Sequence, residues 1–60
     1  MTSAELKRWL ERQGATFEPG KGGHLKVTLN GRRSVLPMHG GRKELPTRTV
    51  KAIKKQLGLA

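Results

Sequence analysis

The pattern of apolar and polar positions predicts a helix at the start of the chain. Its apolar stripe consists of Leu6, Trp9 and Leu10. These positions recur at helical spacing, and Thr2 and Glu5 before and within the stripe have the spacing of a capping box. Gly14 follows the stripe and is a typical helix stop. We therefore expect the first helix to lie between Thr2 and Gly14.

Two extended segments come next. Residues 15–18 form a short segment before Pro19, which favours extended backbone in the residue that precedes it, and Phe17 is its expected core contact. The second segment has Leu25, Val27 and Leu29 alternating with His24, Lys26 and Thr28. Alternation with a period of two is typical of a half-buried strand. One face of this strand is therefore apolar, and the other carries His24.

A hairpin connects this strand to a third one. The dipeptide at 30–31, Asn-Gly, is a strong signal for a two-residue turn because both residues tolerate positive φ. It leads into residues 32–36, which form the third predicted strand before Pro37. A type I′ turn would pair Thr28 with Arg33 and put Arg33 and Val35 on the histidine face. A bulged turn would give a different pairing.

The end of the chain predicts a second amphipathic helix. Pro46 suits its first turn, and Gly58 closes it so that Leu59 packs back beneath it. Its apolar positions are Val50, Ile53 and Leu57, and its basic positions are Arg48, Lys51, Lys54 and Lys55. The basic face either follows phosphates or is a solvated surface. Residues 38–44 form a glycine-containing loop before this helix.

These elements predict an α+β fold in the order α-β-β-β-α. Two helices packed on one face of a three-stranded antiparallel sheet would bury all the apolar stripes. The expected centre of the core is Trp9, Leu10, Phe17, Leu25, Val27, Ile53 and Leu57. We assign Trp9 to the core, not to a base-stacking platform, because it is the single tryptophan and lies among leucines.

The charge of the chain points to a polyanionic partner. Thirteen Lys and Arg against four Asp and Glu give a formal net charge of +9. Residues 1–30 hold five basic and three acidic side chains, for +2, and residues 31–60 hold eight and one, for +7. Nucleic acid is the best match, although an acidic protein or an anionic membrane would also be attracted. The alternative is that the charge serves solubility alone.

Composition excludes several other classes of protein. There is no cysteine, hence no disulfide and no cysteine-based zinc site, and two histidines cannot close a metal cage alone. We expect no cofactor and no metal. No apolar run approaches the roughly 20 residues of a membrane span, and the first residues lack the pattern of a signal peptide. We therefore expect one cytoplasmic domain over residues 1–60.

The segment Gly20-Lys21-Gly22-Gly23-His24 is the strongest candidate site. A glycine-rich loop lets backbone N–H groups approach an anion, and Lys21 adds positive charge. A histidine exchanges a proton near neutral pH. Together these groups suit phosphate chemistry, whereas the structural alternative is a glycine turn with an exposed histidine.

The chain resembles the HicA family of toxin ribonucleases over essentially its whole length. The resemblance rests on the element order and on three segments, residues 20–24, 37–39 and 57–59. It implies a fold like the double-stranded-RNA-binding domain, cleavage of messenger RNA without a metal, and neutralisation by a HicB antitoxin. The family's catalytic histidine maps onto His24. Gly23 stands where the family commonly has serine.

The mechanism implied is attack of an RNA 2′-hydroxyl on its neighbouring phosphate, with His24 as general base or acid. Nearby cations would stabilise the negative charge of the transition state. The expected RNA- and phosphate-binding residues are Lys21, Gly22, Gly23, Lys26, Arg33, Arg48, Lys51, Lys54 and Lys55. His39 is the candidate auxiliary group for a second proton transfer, if its loop folds back. Water or substrate would otherwise serve, with His39 as an ordinary turn residue.

Two other functions remain open at this point. The same fold could bind RNA without cleaving it, with His24 as one contact among several. The basic face could also belong to an interaction protein that docks an acidic partner. Cleavage of RNA would distinguish a ribonuclease from both of these alternatives.

Overall fold

The fold follows the predicted order of elements. A computed structural model describes residues 1–38 and 44–59. Its elements are α1 (Ser3–Arg12), β1 (Thr16–Pro19), β2 (His24–Leu29), β3 (Arg32–Pro37) and α2 (Thr47–Gln56). The three strands form one antiparallel sheet in the order β1-β2-β3. Neither described helix is long and apolar enough to cross a membrane.

Helix α1 begins and ends at the residues that the sequence indicates. The Thr2 side chain accepts a hydrogen bond from the Glu5 N–H at 3.2 Å, and the Glu5 carboxylate accepts one from the Thr2 N–H at 2.8 Å. This capping box satisfies two N–H groups that the helix itself leaves open. Hydrogen bonds to the Thr2 backbone and side chain, in that order, lower the pKa of Glu5. At the other end Gly14 has φ +95° and terminates the helix.

The hairpin has the predicted type I′ geometry. Asn30 and Gly31 both have positive φ, at 51° and 78°. The resulting register pairs Thr28 with Arg33, as expected. Because side chains alternate across a strand, His24, Lys26, Thr28, Arg33 and Val35 all lie on the outer face of the sheet. The opposite face packs against the helices.

The core differs in its centre from the sequence prediction. The buried apolar side chains are Leu6, Leu10, Val27, Leu29, Leu36, Ile53 and Leu57. Trp9, Phe17 and Leu25 are only partly buried and pack against this cluster, so their predicted central position is wrong. Phe17 lies on β1, which is an edge strand of the sheet formed by the described residues. Trp9 lies in α1 at the edge of the buried cluster, and the Lys54 Nζ is 4.5 Å from its ring centroid.

Helix α2 starts one residue later than the proline pattern predicts. Pro46 is the N-cap, with an extended ψ of 143°, and is not part of the first turn. Its φ of −58° suits a helix, which is why the sequence pattern places it inside. Gly58, with φ +77°, closes the helix, and the Leu59 N–H donates to the Lys54 carbonyl oxygen at 2.8 Å. The Ser34 hydroxyl donates to Gln56 Oε1 at 2.6 Å and links β3 to α2.

Strand ends differ by one residue from the prediction. Strand β1 runs to Pro19, and β3 includes Pro37, which pairs with His24 at the start of β2. Both prolines are terminal residues of edge strands, where a missing N–H costs no ladder hydrogen bond. Because Pro37 pairs with His24, the β2–β3 ladder includes the first residue of β2.

Candidate active site and nucleic-acid interface

The glycine-rich loop at 20–23 connects β1 to β2 and holds the backbone of His24 from two sides. The Gly20 N–H donates to the His24 carbonyl oxygen at 3.0 Å, and the His24 N–H donates to the Lys21 carbonyl oxygen at 3.4 Å. A Cβ added at Gly20 would lie 3.2 Å from that same His24 oxygen. Glycine therefore accommodates a close approach at the start of β2 that a larger residue would tighten.

The end of β3 adds a third attachment. The Met38 N–H donates to the Gly23 carbonyl oxygen at 2.7 Å, just beyond the pairing of His24 with Pro37. Gly22 within the loop has φ +62°, a conformation that L side chains rarely adopt. These contacts give the histidine a defined position on the sheet, although it follows a loop of glycines.

His24 lines a small pocket. This pocket has a volume of about 320 Å³, and its other lining residues are Gly20, Lys21, Lys26 and Val35. The side chain of His24 is half-buried, and its Nδ1 is buried. A phosphate in this pocket would meet an imidazole and two exposed lysines, a combination that can transfer a proton and stabilise negative charge.

A larger groove of about 800 Å³ adjoins this pocket. Its lining includes Lys26 and Arg33 from the outer face of the sheet, Glu18 from β1 and Arg48 from α2. Helix α2 has no side-chain N-cap and no acidic residue in its first turn, so its positive end near Arg48 is not neutralised there. The groove is therefore cationic, with one carboxylate on the β1 side.

Known proteins of similar sequence identify the family. Residues 3–59 match the family described as "HicA toxin of bacterial toxin-antitoxin". The chain belongs to the HicA toxin family. It is 51% identical over 59 residues to the probable mRNA interferase HicA of Pseudomonas fluorescens (strain Pf0-1), covering 98% of this chain and 97% of that protein. It is 47% identical over 60 residues to the probable mRNA interferase toxin HicA of Escherichia coli (strain K12), covering 100% of both.

A solved structure agrees with the fold of this HicA chain. The crystal structure of the E. coli HicAB toxin-antitoxin complex contains a chain that matches it with a TM-score of 0.86 at 46% identity. The match covers 97% of this chain and 98% of the other. The expected α-β-β-β-α fold and the resemblance to HicA are thus both confirmed.

The structure of this HicA chain brings together only part of the predicted basic set. Lys21 and Lys26 line the histidine pocket, and Lys26, Arg33 and Arg48 line the groove. The remaining predicted cations are Lys51, Lys54 and Lys55, which do not line the histidine pocket or the groove. Gly22 and Gly23 shape the loop without lining the pocket. His39 lies outside the described residues.

Two residues of this site had no role in the sequence prediction. Glu18 faces Lys26 across the β1–β2 pairing, and Val35 faces Lys26 across the β2–β3 pairing. Val35 is 53% exposed, although it is apolar and lies among cations. Strand alternation already placed Val35 on the outer face, whereas Glu18 needed the β1 register, which only the loop geometry determines. Within residues 1–38 and 44–59, no three His, Cys, Asp or Glu side chains cluster as a metal site.

Proposed function

We propose that this HicA-family chain is a metal-independent endoribonuclease that cleaves messenger RNA with His24 as its catalytic residue. The observation that carries the proposal is the pocket in which the half-buried imidazole lies beside Lys21 and Lys26. The names of the relatives, probable mRNA interferases, support RNA cleavage as the activity. Residues 1–60 act as a single toxin domain in this proposal.

The reaction needs no nucleophile from the protein. The 2′-hydroxyl of one nucleotide attacks the adjacent phosphorus, the bond to the 5′-oxygen of the next nucleotide breaks, and a 2′,3′-cyclic phosphate forms. One proton leaves the 2′-hydroxyl and one reaches the departing 5′-oxygen. His24 performs one of these transfers, and such a transfer contributes about 10²- to 10⁴-fold in rate. Two proton transfers are required, so a second group must take part.

The second transfer is assigned to water or to the substrate, with His39 as the auxiliary candidate. A His39→Ala variant separates these assignments, because it would lose rate comparably to a His24 variant only if His39 transfers a proton. Lys21 and Lys26 supply positive charge where the dianionic transition state develops. Both lysines are exposed and line the pocket, and in the sequence Lys21 precedes His24 whereas Lys26 follows it.

The proposed partner that inhibits this activity is a HicB-type antitoxin. A chain of 46% identity was solved as part of an E. coli HicAB toxin-antitoxin complex. The net charge of +9 favours an acidic surface on that partner. In this proposal the antitoxin covers the His24 pocket or the cationic groove, and the toxin acts on messenger RNA in the cytoplasm.

The chemistry of the cleaved ends tests this function. Purified protein is incubated in excess EDTA with an RNA and with the same RNA carrying a 2′-deoxy nucleotide at the cleaved position. We expect a 2′,3′-cyclic phosphate and a 5′-hydroxyl from the first and no cleavage of the second at that site. Ends carrying a 5′-phosphate, or complete loss of activity in EDTA, would contradict the mechanism. RNA binding without any cleavage would support the non-catalytic binding module instead.

A further inference from the structure

The two cavities beside His24 share part of their lining. Lys26 and Val35 are cross-strand partners, and both line the histidine pocket as well as the groove. They form the boundary between the two cavities. A linear ligand that leaves the pocket over this pair would enter the groove.

The outer face of the sheet gives such a ligand a direction. Along β2 and β3 the paired rows are His24 with Pro37, Lys26 with Val35, and Thr28 with Arg33. Successive rows are about 7 Å apart, because alternate residues of a strand point to the same face. This spacing is close to one nucleotide step in an extended single strand. From His24 the row of Arg33 is therefore about two nucleotides away.

Charge at the far end of the path suits a phosphate backbone. Arg33 and Arg48 both line the groove, one from β3 and one from α2. The guanidinium group binds phosphate through two parallel N–H donors, which makes arginine well suited to this contact. Glu18 on the β1 side would repel phosphates. The backbone of a bound strand is thus favoured on the side of the two arginines.

Val35 adds an apolar contact in the middle of this path. It is one of two exposed large hydrophobic side chains in the described residues, and the other is Met1, the first residue of the sequence. An apolar side chain between cations can contact the face of a base while the cations hold the adjacent phosphates.

We propose that this groove is a single-stranded RNA subsite that holds the nucleotides on one side of the cleaved bond, with Arg33 and Arg48 binding phosphate and Val35 contacting a base. The inference rests on the proposed ribonuclease function and extends it to the path of the substrate. An acidic protein surface is the competing occupant of the same groove, and the experiment distinguishes it.

The test uses substrates with one cleavable bond and different lengths. DNA strands carrying a single ribonucleotide offer only one 2′-hydroxyl nucleophile, and nucleotides are added stepwise on the 5′ side or on the 3′ side of it. We expect kcat/KM of the wild-type protein to rise over about two added nucleotides on one side only. Arg48→Gln and Arg33→Gln should each remove this gain, which lowers kcat/KM on the longer substrates about tenfold. Arg8→Gln on α1 is the matched control and should behave as wild type.

A binding measurement keeps the subsite testable independently of cleavage. The affinity of a His24→Ala protein for uncleaved single-stranded RNA of increasing length should show the same step, and adding Arg48→Gln should remove it. Val35→Thr, which keeps the branched shape and replaces one methyl group with a hydroxyl, should weaken binding about threefold. Equal losses in Arg8→Gln and Arg48→Gln would overturn the subsite, while His24-dependent cleavage of short substrates would leave the proposed function intact. Loss of antitoxin binding in Arg48→Gln with unchanged RNA length dependence would assign the groove to the protein partner.

Discussion

Replacing Gly20 with alanine would place one methyl group against the backbone that positions His24. The added Cβ would lie 3.2 Å from the His24 carbonyl oxygen, about 0.2 Å inside the 3.4 Å at which ordinary contacts begin. That oxygen also accepts the hydrogen bond from the Gly20 N–H. Relief of the contact therefore requires the loop and the first residue of β2 to move apart.

The expected effect on activity follows from this displacement. A misplacement of 1 Å at a reacting group costs about 100-fold in rate, so a shift of about 0.2 to 0.4 Å should lower kcat about three- to sixfold. The φ of Gly20 lies outside the left-handed region, and alanine adds no backbone strain there. Alanine also restricts the unfolded chain, so the free energy of unfolding should change by less than about 1 kcal/mol.

Gly31→Ala is the matched control for this prediction. Gly31 has φ +78° with no atom within 4 Å of an added Cβ, so alanine there is strained without touching any neighbour. That strain should lower the free energy of unfolding by about 1 to 2 kcal/mol and leave kcat of the folded protein unchanged. The assay is single-turnover cleavage of a labelled RNA, corrected for the folded fraction measured by thermal unfolding. Unchanged kcat in Gly20→Ala, or an equal loss in both variants, would refute the reasoning.

Three further predictions concern stability, surface charge and the partner. Because the pKa of Glu5 is lowered, its ionised form stabilises the fold above the ordinary pKa of 4.5, and this contribution is lost as the pH falls through the lowered pKa. In Glu5→Gln the free energy of unfolding, measured in urea at a series of pH values, should depend less on pH over this range. Lys54→Ala should lower the free energy of unfolding by about 0.5 to 1 kcal/mol through loss of its contact with Trp9, whereas Lys55→Ala should not, as chemical denaturation would measure. A HicB-type antitoxin at 100 times its Kd should block RNA cleavage and raise the free energy of unfolding by about 2.7 kcal/mol. A higher unfolding temperature together with unaltered RNA cleavage would contradict this.

Local sequence signals determine most of this fold. The capping box at Thr2, the Asn30-Gly31 turn and the glycine at 58 each act within a few residues, so their structures are readable from the chain alone. Once the turn type is known, the register that brings Arg33 to the face of His24 follows from alternation. These features predict the order of the elements and the placement of His24, Lys26 and Arg33 on one face of the sheet.

The errors concern contacts between elements that are distant in sequence. Its place in a helical stripe of leucines favoured Trp9 for the core, but in the structure Trp9 is only partly buried beneath the Lys54 ammonium group, and Leu36 belongs to the buried cluster instead. Helical spacing also grouped four cations on one face of α2, and of these Arg48 lines the groove. That Lys51, Lys54 and Lys55 contact RNA stays a prediction.

The His24→Ala variant tests the central claim most directly. His24 begins β2 on the outer face, and its truncation removes no side chain of the buried core. RNA cleavage in excess EDTA, RNA affinity and thermal unfolding are measured on the same preparations of wild type, His24→Ala and Thr16→Ala, an exposed outer-face control on β1. We expect a loss of cleavage of at least about 10²-fold in His24→Ala alone, with affinity and unfolding close to wild type. Undiminished cleavage, or a loss that only follows unfolding, would contradict a catalytic role for His24.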